Sequence, residues 1–235
     1  EEGDTGNEYG SGDKPNLNLP GLQPDIIRIA KESGKPVIVV LLAGSAMALS
    51  WEDEHVDAIL DGFYPGAQGG AAIAEILFGG ANPEGKLPIT FYQTTEELPE
   101  FTDYAMKGRT YRYMENEALY PFGYGLSYTT YAYGNLECVK PFDAQDGITL
   151  QVTVTNTGDR EGTETLQVYV KAKREGTPNP QLKYVKKITL KPGESVTEEI
   201  HLSPEAFMLY DEKGNFTLEK GAYDIFVGGC QPDAR

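Results

Sequence analysis

Five carboxylates open the chain among glycines: Glu1, Glu2, Asp4, Glu8 and Asp13. A carboxylic acid on a glycine-rich loop can serve as a general acid, provided burial or a second carboxylate raises its pKa. The same spacing also fits a plain solvated acidic terminus, which is the reading composition alone favours. A second acidic run, Glu52-Asp-Glu54 with Asp57 and Asp61, lacks the glycine-containing spacing of a calcium loop and reads as a solvated helix start. Gly66-Ala-Gln-Gly-Gly70 precedes a helical pattern, where main-chain N–H groups can hold an anion. It matches neither the phosphate loop nor the dinucleotide pattern and has no lysine, so it reads as a strand-to-helix turn. Ser45 and His55 do not form a nucleophile elbow, since Gly44-Ser-Ala46 lacks the second glycine. Two cysteines (Cys138, Cys230) and two histidines (His55, His201) cannot supply a zinc cluster, and free thiols are expected rather than a disulfide framework. No metal or cofactor is expected.

The elements that must position these groups divide the chain in two. With 235 residues, 20 bases and 36 acids, the net charge is −16, which disfavours nucleic acid and anionic membranes as partners. The longest apolar run, Val37 to Ala43, is strand-sized and far short of a membrane helix. Residues 1–130 read as α/β. Pro24 to Ser33 carries Ile26, Ile27, Ile29 and Ala30 on one helix face, with Pro24 in the first turn. Pro36 to Ala43 reads as a strand buried on both faces, as in parallel sheets covered by helices. Val56 to Tyr64 is a second strand, and Gly69 to Phe78 a helix with Ile73, Ile76 and Leu77 inward. Asn82-Pro-Glu-Gly85 is a turn, and Leu87 to Phe91 a third strand. Three strands are too few for a free-standing sheet, so this domain is expected to be truncated at its N-terminus. Residues 100–135 hold eight tyrosines, from Tyr104 to Tyr133, and read as an aromatic-packed connector or a loop lining a sugar site.

Residues 131–235 read as an antiparallel β-sandwich of about seven strands. Ile148, Leu150, Val152 and Val154 alternate with polar residues before an Asn156-Thr-Gly-Asp159 turn, and Leu166, Val168 and Val170 alternate next. Further strands are expected at Leu182 to Leu190, Val196 to Leu202 and Tyr223 to Val227.

Several segments resemble the C-terminal part of family 3 glycoside hydrolases, the β-glucosidases and β-xylosidases. They are Glu1-Glu-Gly-Asp4, Gly12-Asp-Lys-Pro-Asn-Leu-Asn-Leu-Pro-Gly-Leu-Gln23, Pro65-Gly-Ala-Gln-Gly-Gly70, Asn82-Pro-Glu-Gly-Lys-Leu-Pro88, Gly108-Arg-Thr-Tyr-Arg-Tyr113 and Tyr120-Pro-Phe-Gly-Tyr-Gly-Leu-Ser-Tyr128. Gln167-Val-Tyr-Val170, Leu190-Lys-Pro-Gly-Glu194 and Val227-Gly-Gly229 are similar to the fibronectin type III-like domain of the same enzymes. The resemblance implies a partial α/β sandwich followed by an all-β sandwich. It also implies a retaining exo-glycosidase, with a nucleophilic Asp on an N-terminal (β/α)8 barrel and a loop Glu as general acid/base. Counting back without a gap from Gly12-Asp-Lys14 to a Glu-Gly pair assigns that role to Glu2, with Glu1 and Glu8 as alternatives. The implied partners are an oligosaccharide or aryl β-glycoside and the barrel, on the same or a separate chain. β-Glucoside and β-xyloside both stay open. The rival class is a non-catalytic carbohydrate-binding or structural module.

Overall fold

A computed structural model describes residues 16–100, 102–211 and 213–232. The chain forms two compact units. One runs to Ala81 and resumes over Ile89–Pro121; the other takes Asn82–Pro88 and everything from Phe122 onward.

The first unit is α/β. Helix α1 (Gln23–Glu32) has Pro24 in its first turn, where the missing N–H costs nothing. It ends at Ser33, whose hydroxyl donates to the Ala30 carbonyl at 2.6 Å. Strand β1 (Ile38–Leu41) pairs in parallel with β2 (Ala58–Asp61), in the register Ile38↔Ala58 to Leu41↔Asp61. Asp57 pins that register by accepting from the Val37 N–H at 2.8 Å and pairing with Lys31 at 3.0 Å. Those two contacts, the N–H first, hold its carboxyl below the usual range. Helices α2 (Ser50–His55) and α3 (Gly69–Leu77) follow the strands, and α4 (Thr110–Tyr113) is a single turn. Leu19, Leu41, Ala43, Met47, Leu49, Phe91 and Leu119 are buried.

Four expectations for this unit need correction. β1 is not buried on both faces: Ile38, Val40 and Leu42 are open to solvent, as are Ile26 and Ile29 on α1. An apolar pattern records the surroundings a segment is suited to, and among the described residues of this unit two strands and a few short helices do not supply them. Leu77 on α3 is likewise exposed, whereas Ile73 and Ile76 are half-buried. Leu87 to Phe91 is not a strand. Pro88 has no N–H to give, and the run divides there between the two units: Leu87 bonds the main chain at Gly123 and Tyr124, while Phe91 bridges Tyr120. The acidic run does start a helix, but Glu52 is buried within it, not solvated.

The second unit is an antiparallel sandwich. One sheet orders β3 (Tyr131–Asp143), β4 (Gly147–Asn156) and β7 (Ser195–Leu202); the other orders β10 (Tyr223–Gly228), β5 (Gly162–Ala172) and β6 (Gln181–Leu190). A two-stranded hairpin, β8 (Leu209–Tyr210) with β9 (Phe216–Thr217), lies between β7 and β10 in sequence. The core follows from alternation: Leu150, Val152 and Val154 of β4 meet Leu166, Val168 and Val170 of β5, with Ile188, Leu190, Ile200 and Leu202. Outward on β4, Thr153 and Thr155 pair across the sheet with Thr197 and Ser195. Tyr131 and Tyr133, expected in the aromatic stretch, lie in β3 instead and pack against this core.

The turn after β4 is held by fully buried Asn156. Its amide donates to the Arg160 and Leu190 carbonyls at 2.7 and 2.9 Å and accepts from the Thr129 hydroxyl at 2.7 Å and the Gly158 N–H at 3.1 Å. Every hydrogen-bonding site of that amide is used, which is what makes a buried Asn tolerable here.

A strap formed by Asn82–Pro88 belongs to this unit as well. Leu87 N donates to Tyr124 O at 2.7 Å and Gly123 N to Leu87 O at 2.8 Å. Gly123 sits at φ +80°, and a Cβ there would lie 2.2 Å from the Gln167 amide oxygen, so only glycine fits. Lys86 anchors the strap. Its ammonium donates to Gly125 O at 2.8 Å and pairs at 3.5 Å with Glu164, a buried carboxylate that also accepts from the Tyr133 hydroxyl at 3.1 Å. Burial first, then the Glu164 charge, pushes the Tyr133 hydroxyl far above its usual range, so it remains a donor. Lys86→Met leaves Glu164 charged and without its cation. It should destabilise the second unit by about 3–5 kcal/mol, and Lys86→Met/Glu164→Gln should recover much of that loss. Denaturant unfolding of the two variants against the parent chain checks both.

Candidate functional site

Glu2, and with it Glu1, Glu8 and the Gly12-Asp-Lys14 marker, lies outside the described residues. The structure does describe the chain leaving that loop. The Leu17 N–H donates to the Thr95 hydroxyl at 2.9 Å, and the Leu17 carbonyl accepts from the Ala48 N–H at 2.8 Å. Asn18 N donates to the Asn16 side chain at 3.0 Å, and Leu19 is buried. Both main-chain groups of Leu17 are therefore fixed, and the next apolar side chain is locked inside.

The residue that grips Leu17 is itself held. Thr95 opens a single 3-10 turn, Thr95–Glu97, closed by Leu98 N to Thr95 O at 3.0 Å. Glu97 accepts from the Gln93 N–H at 2.9 Å, the Gln93 carbonyl accepts from the Ser50 hydroxyl at 2.8 Å, and the Gln93 amide donates to Glu117 O at 3.0 Å. One turn further along α2, Asp53 accepts from the Tyr120 hydroxyl at 2.7 Å, and the Tyr120 ring packs on Phe91 at 5.7 Å. Nothing in the sequence pattern singles out Thr95, Ser50 or Gln93. Their roles are side-chain to main-chain bonds over 24 to 78 residues of separation, which no local periodicity records.

The Gly108–Tyr113 segment is equally committed. Arg109 spends its guanidinium on main-chain carbonyls, those of Glu100, Asp103 and Ala105, at 3.0, 2.6 and 3.2 Å. Thr110 donates its N–H to the Tyr92 hydroxyl at 2.8 Å and sits at φ +56°, a costly conformation for a β-branched residue. His55 stacks on Trp51 at 4.3 Å and contacts the Trp51 carbonyl at 2.7 Å, with Arg28 over the indole. That is structural packing. Gly66 to Gly70 forms the turn into α3; a Cβ at Gly69 would overlap the Pro65 ring. Among the described residues no group of His, Cys, Asp and Glu is arranged to hold a metal, and no helix is long and apolar enough to cross a membrane. Both cysteines are free; Cys138 is exposed, and burial pushes the Cys230 thiol up.

Asp61, at the C-terminal end of β2, is an orphan the sequence does not reveal. One carboxyl oxygen accepts from the Phe63 N–H at 3.0 Å; the other is buried with no partner. Phe63 takes φ +47° to make that bond. Burial raises the Asp61 pKa, with the Phe63 N–H opposing.

The described residues thus form an α/β unit and an antiparallel sandwich. The sequence model of the Glycosyl hydrolase family 3 C-terminal domain matches residues 2–128, and that of the Fibronectin type III-like domain matches residues 164–231. The chain belongs to glycosyl hydrolase family 3. It is 42% identical to a xylan 1,4-beta-xylosidase of Xylanibacter ruminicola, over 96% of this chain and 26% of that protein. It is 39% identical to a periplasmic beta-glucosidase of Salmonella typhimurium, over 92% and 30%. Among solved structures it superposes on a beta-glucosidase of Listeria innocua, in complex with isofagomine, with a TM-score of 0.83 and 30% identity, over 97% of this chain and 34% of that one. A β-glucosidase of Erythrobacter marinus gives 0.82 and 36%, over 95% and 30%. The chain thus spans roughly a quarter to a third of the length of these relatives.

The Asp61 geometry makes a pH prediction. A carboxyl whose folded pKa is raised works against folding most at neutral pH, and that penalty vanishes as pH falls below its ordinary range. Asp61→Asn keeps the Phe63 bond and removes the charge. It should raise the thermal midpoint at pH 7, with the gain shrinking to nothing near about pH 3. Paired melts across that range check it.

Proposed function

We propose that this chain is the acid/base-bearing C-terminal portion of a retaining, exo-acting β-glycosidase that removes terminal β-linked glucose or xylose from oligosaccharides. The observation that carries the reading is the family match over residues 2–128, which takes in the Glu2-Gly3 pair upstream of Gly12-Asp-Lys14. Relatives named as β-xylosidase and β-glucosidase support the substrate class.

On this reading Glu2 is the general acid/base and its partner is an Asp on the N-terminal barrel, supplied by the same or a separate polypeptide. Retention requires the two carboxyls about 5–5.5 Å apart. The Asp attacks the anomeric carbon while Glu2 protonates the departing oxygen. The Asp carboxylate is then consumed in the glycosyl ester. With that negative charge gone, the Glu2 pKa falls, and the same group takes a proton from water as the water attacks the anomeric carbon, breaking its bond to the Asp and releasing that carboxylate. A chain holding one carboxyl of the pair performs half of this sequence, so these 235 residues alone should not hydrolyse aryl β-glucosides or β-xylosides.

Glu2→Ala in the full enzyme should lower turnover about 10²–10⁴-fold on substrates with poor leaving groups. An aryl group of low pKa leaves unaided, so its release should suffer much less, and the covalent glycosyl-enzyme should then accumulate. Azide, which needs no general base, should restore turnover and yield a β-glycosyl azide. If Glu8→Ala shows this behaviour instead, the ungapped count is wrong. If Glu1→Ala, Glu2→Ala and Glu8→Ala all lack it, the donor lies outside this loop.

A further inference from the structure

We propose that the outer edge of β1 is a docking site for a parallel, apolar β-strand from the part of the enzyme that precedes this chain. The identity of the partner rests on the reading of the chain as the C-terminal portion of a longer glycosidase. The open edge itself is a property of the described residues.

The main chain defines the edge. Within a parallel pair, the N–H and C=O of one residue point the same way, and successive residues alternate. The Val37 carbonyl accepts from Asp57 N and the Leu41 carbonyl from Gly62 N, both at 2.9 Å, and the Val37 N–H goes to the Asp57 carboxylate. Val37, Val39 and Leu41 therefore face β2, and Ile38, Val40 and Leu42 turn their main-chain groups the other way. Among the described residues, β2 is the one strand beside β1. The same three residues leave their side chains 48%, 37% and 47% exposed. On α1, the helix just ahead, Leu22, Ile26 and Ile29 form an open stripe at i, i+4 and i+7.

A free edge in a native sheet is blunted by charge, proline or a bulge. This chain does so elsewhere. Edge strand β3 carries Glu137, Lys140 and Pro141 and three breaks in register, and edge strand β6 carries Lys183, Lys186 and Lys187. Val37 to Leu42 has none of these, and β1 runs in unbroken register. A strand kept apolar and regular at its edge is suited to being paired.

The occupant follows by elimination. Apart from Pro15, residues 1–15 hold one apolar residue, Tyr9, so that segment has no apolar strand to offer. The xylosidase and glucosidase relatives are matched over 26% and 30% of their length, and the family model matched here is that of the C-terminal domain. The bulk of what they carry beyond this chain therefore precedes it. A strand arriving from there and running parallel to β1 makes α1 the crossover helix of a β–α–β unit, the connection that parallel neighbours need.

Residue-resolved hydrogen exchange on the full-length enzyme tests the pairing. The Ile38 and Val40 amides should exchange as slowly as those of Val39 and Leu41. They should also be at least about 100-fold slower than in these 235 residues alone, the contrast between an open edge and a core strand. Ile38 and Val40 amides that exchange freely in the full enzyme, beside protected Val39 and Leu41, overturn the proposal; that outcome is readable even where the 235-residue chain does not fold alone. Equal protection in the 235-residue chain overturns it as well, and a dimeric mass then assigns the edge to a second copy. Aryl β-glycoside turnover of the same preparation reads the glycosidase assignment separately. An enzyme with a protected edge and no turnover overturns that assignment and keeps the pairing, and an active enzyme with a free edge does the reverse.

Discussion

The second unit depends on one strand that is buried on both faces. Residues 162 to 170 of β5 are buried without a break. An antiparallel strand in that position needs a cover on each side, and the two covers differ in kind. Leu166, Val168 and Val170 meet an ordinary apolar core. On the other side, Gln167 donates its amide to the Gly123 and Gly229 carbonyls at 3.1 and 2.6 Å and accepts from Tyr169. A polar face can be buried there because glycine backbone comes close enough to satisfy it. The Asn82–Pro88 strap completes the cover, and its Lys86 neutralises Glu164 at the start of the same strand. Core, strap and the glycine segment near residue 123 therefore form one cooperative arrangement, with the polar contacts deciding which chain segments come together.

That arrangement marks the limit of what alternation reveals. β4 was legible because its outer residues, Thr149 to Thr155, face solvent and its inner ones face the core, so pattern and environment agree. On β5, Thr163, Thr165 and Gln167 have the chemistry of a wet face and are buried. The difference comes from segments 40 to 80 residues away, which a strand's own pattern does not encode. In the α/β part the limitation reverses. Val37 to Ala43 carries no polar position and reads as doubly covered, while Ile38, Val40 and Leu42 stand open in this chain. Sequence states the environment a strand is suited to; the structure shows how much of it this polypeptide supplies.

The acid/base assignment came from a third source. Neither composition nor spacing separates Glu2 from its acidic neighbours, since an isolated carboxylate has no periodicity. Only the resemblance, through Glu2-Gly3 and Gly12-Asp-Lys14, selects it. The framework around the loop's exit was invisible for the opposite reason. Thr95, Ser50 and Gln93 are ordinary polar residues whose importance lies in long-range main-chain bonds.

Those bonds bear on the chemistry proposed for the loop. A general acid must come within hydrogen-bond reach of one departing oxygen, and an error near 1 Å costs a large part of its effect. A chain that brings the acid to a nucleophile held elsewhere must therefore fix the point from which the loop departs. Leu17 is bonded at both its N–H and its carbonyl, Leu19 is buried, and Thr95 is braced through Glu97, Gln93 and Ser50 to α2. Arg109, in the family segment, directs its Nε and Nη2 donors to three main-chain carbonyls. Thr95, Ser50, Glu97, Gln93 and Arg109 thus each hold backbone. On the proposed reading, the division of labour is one carboxylate for proton transfer, and behind it in sequence a set of ordinary polar residues that fix the main chain at Leu17.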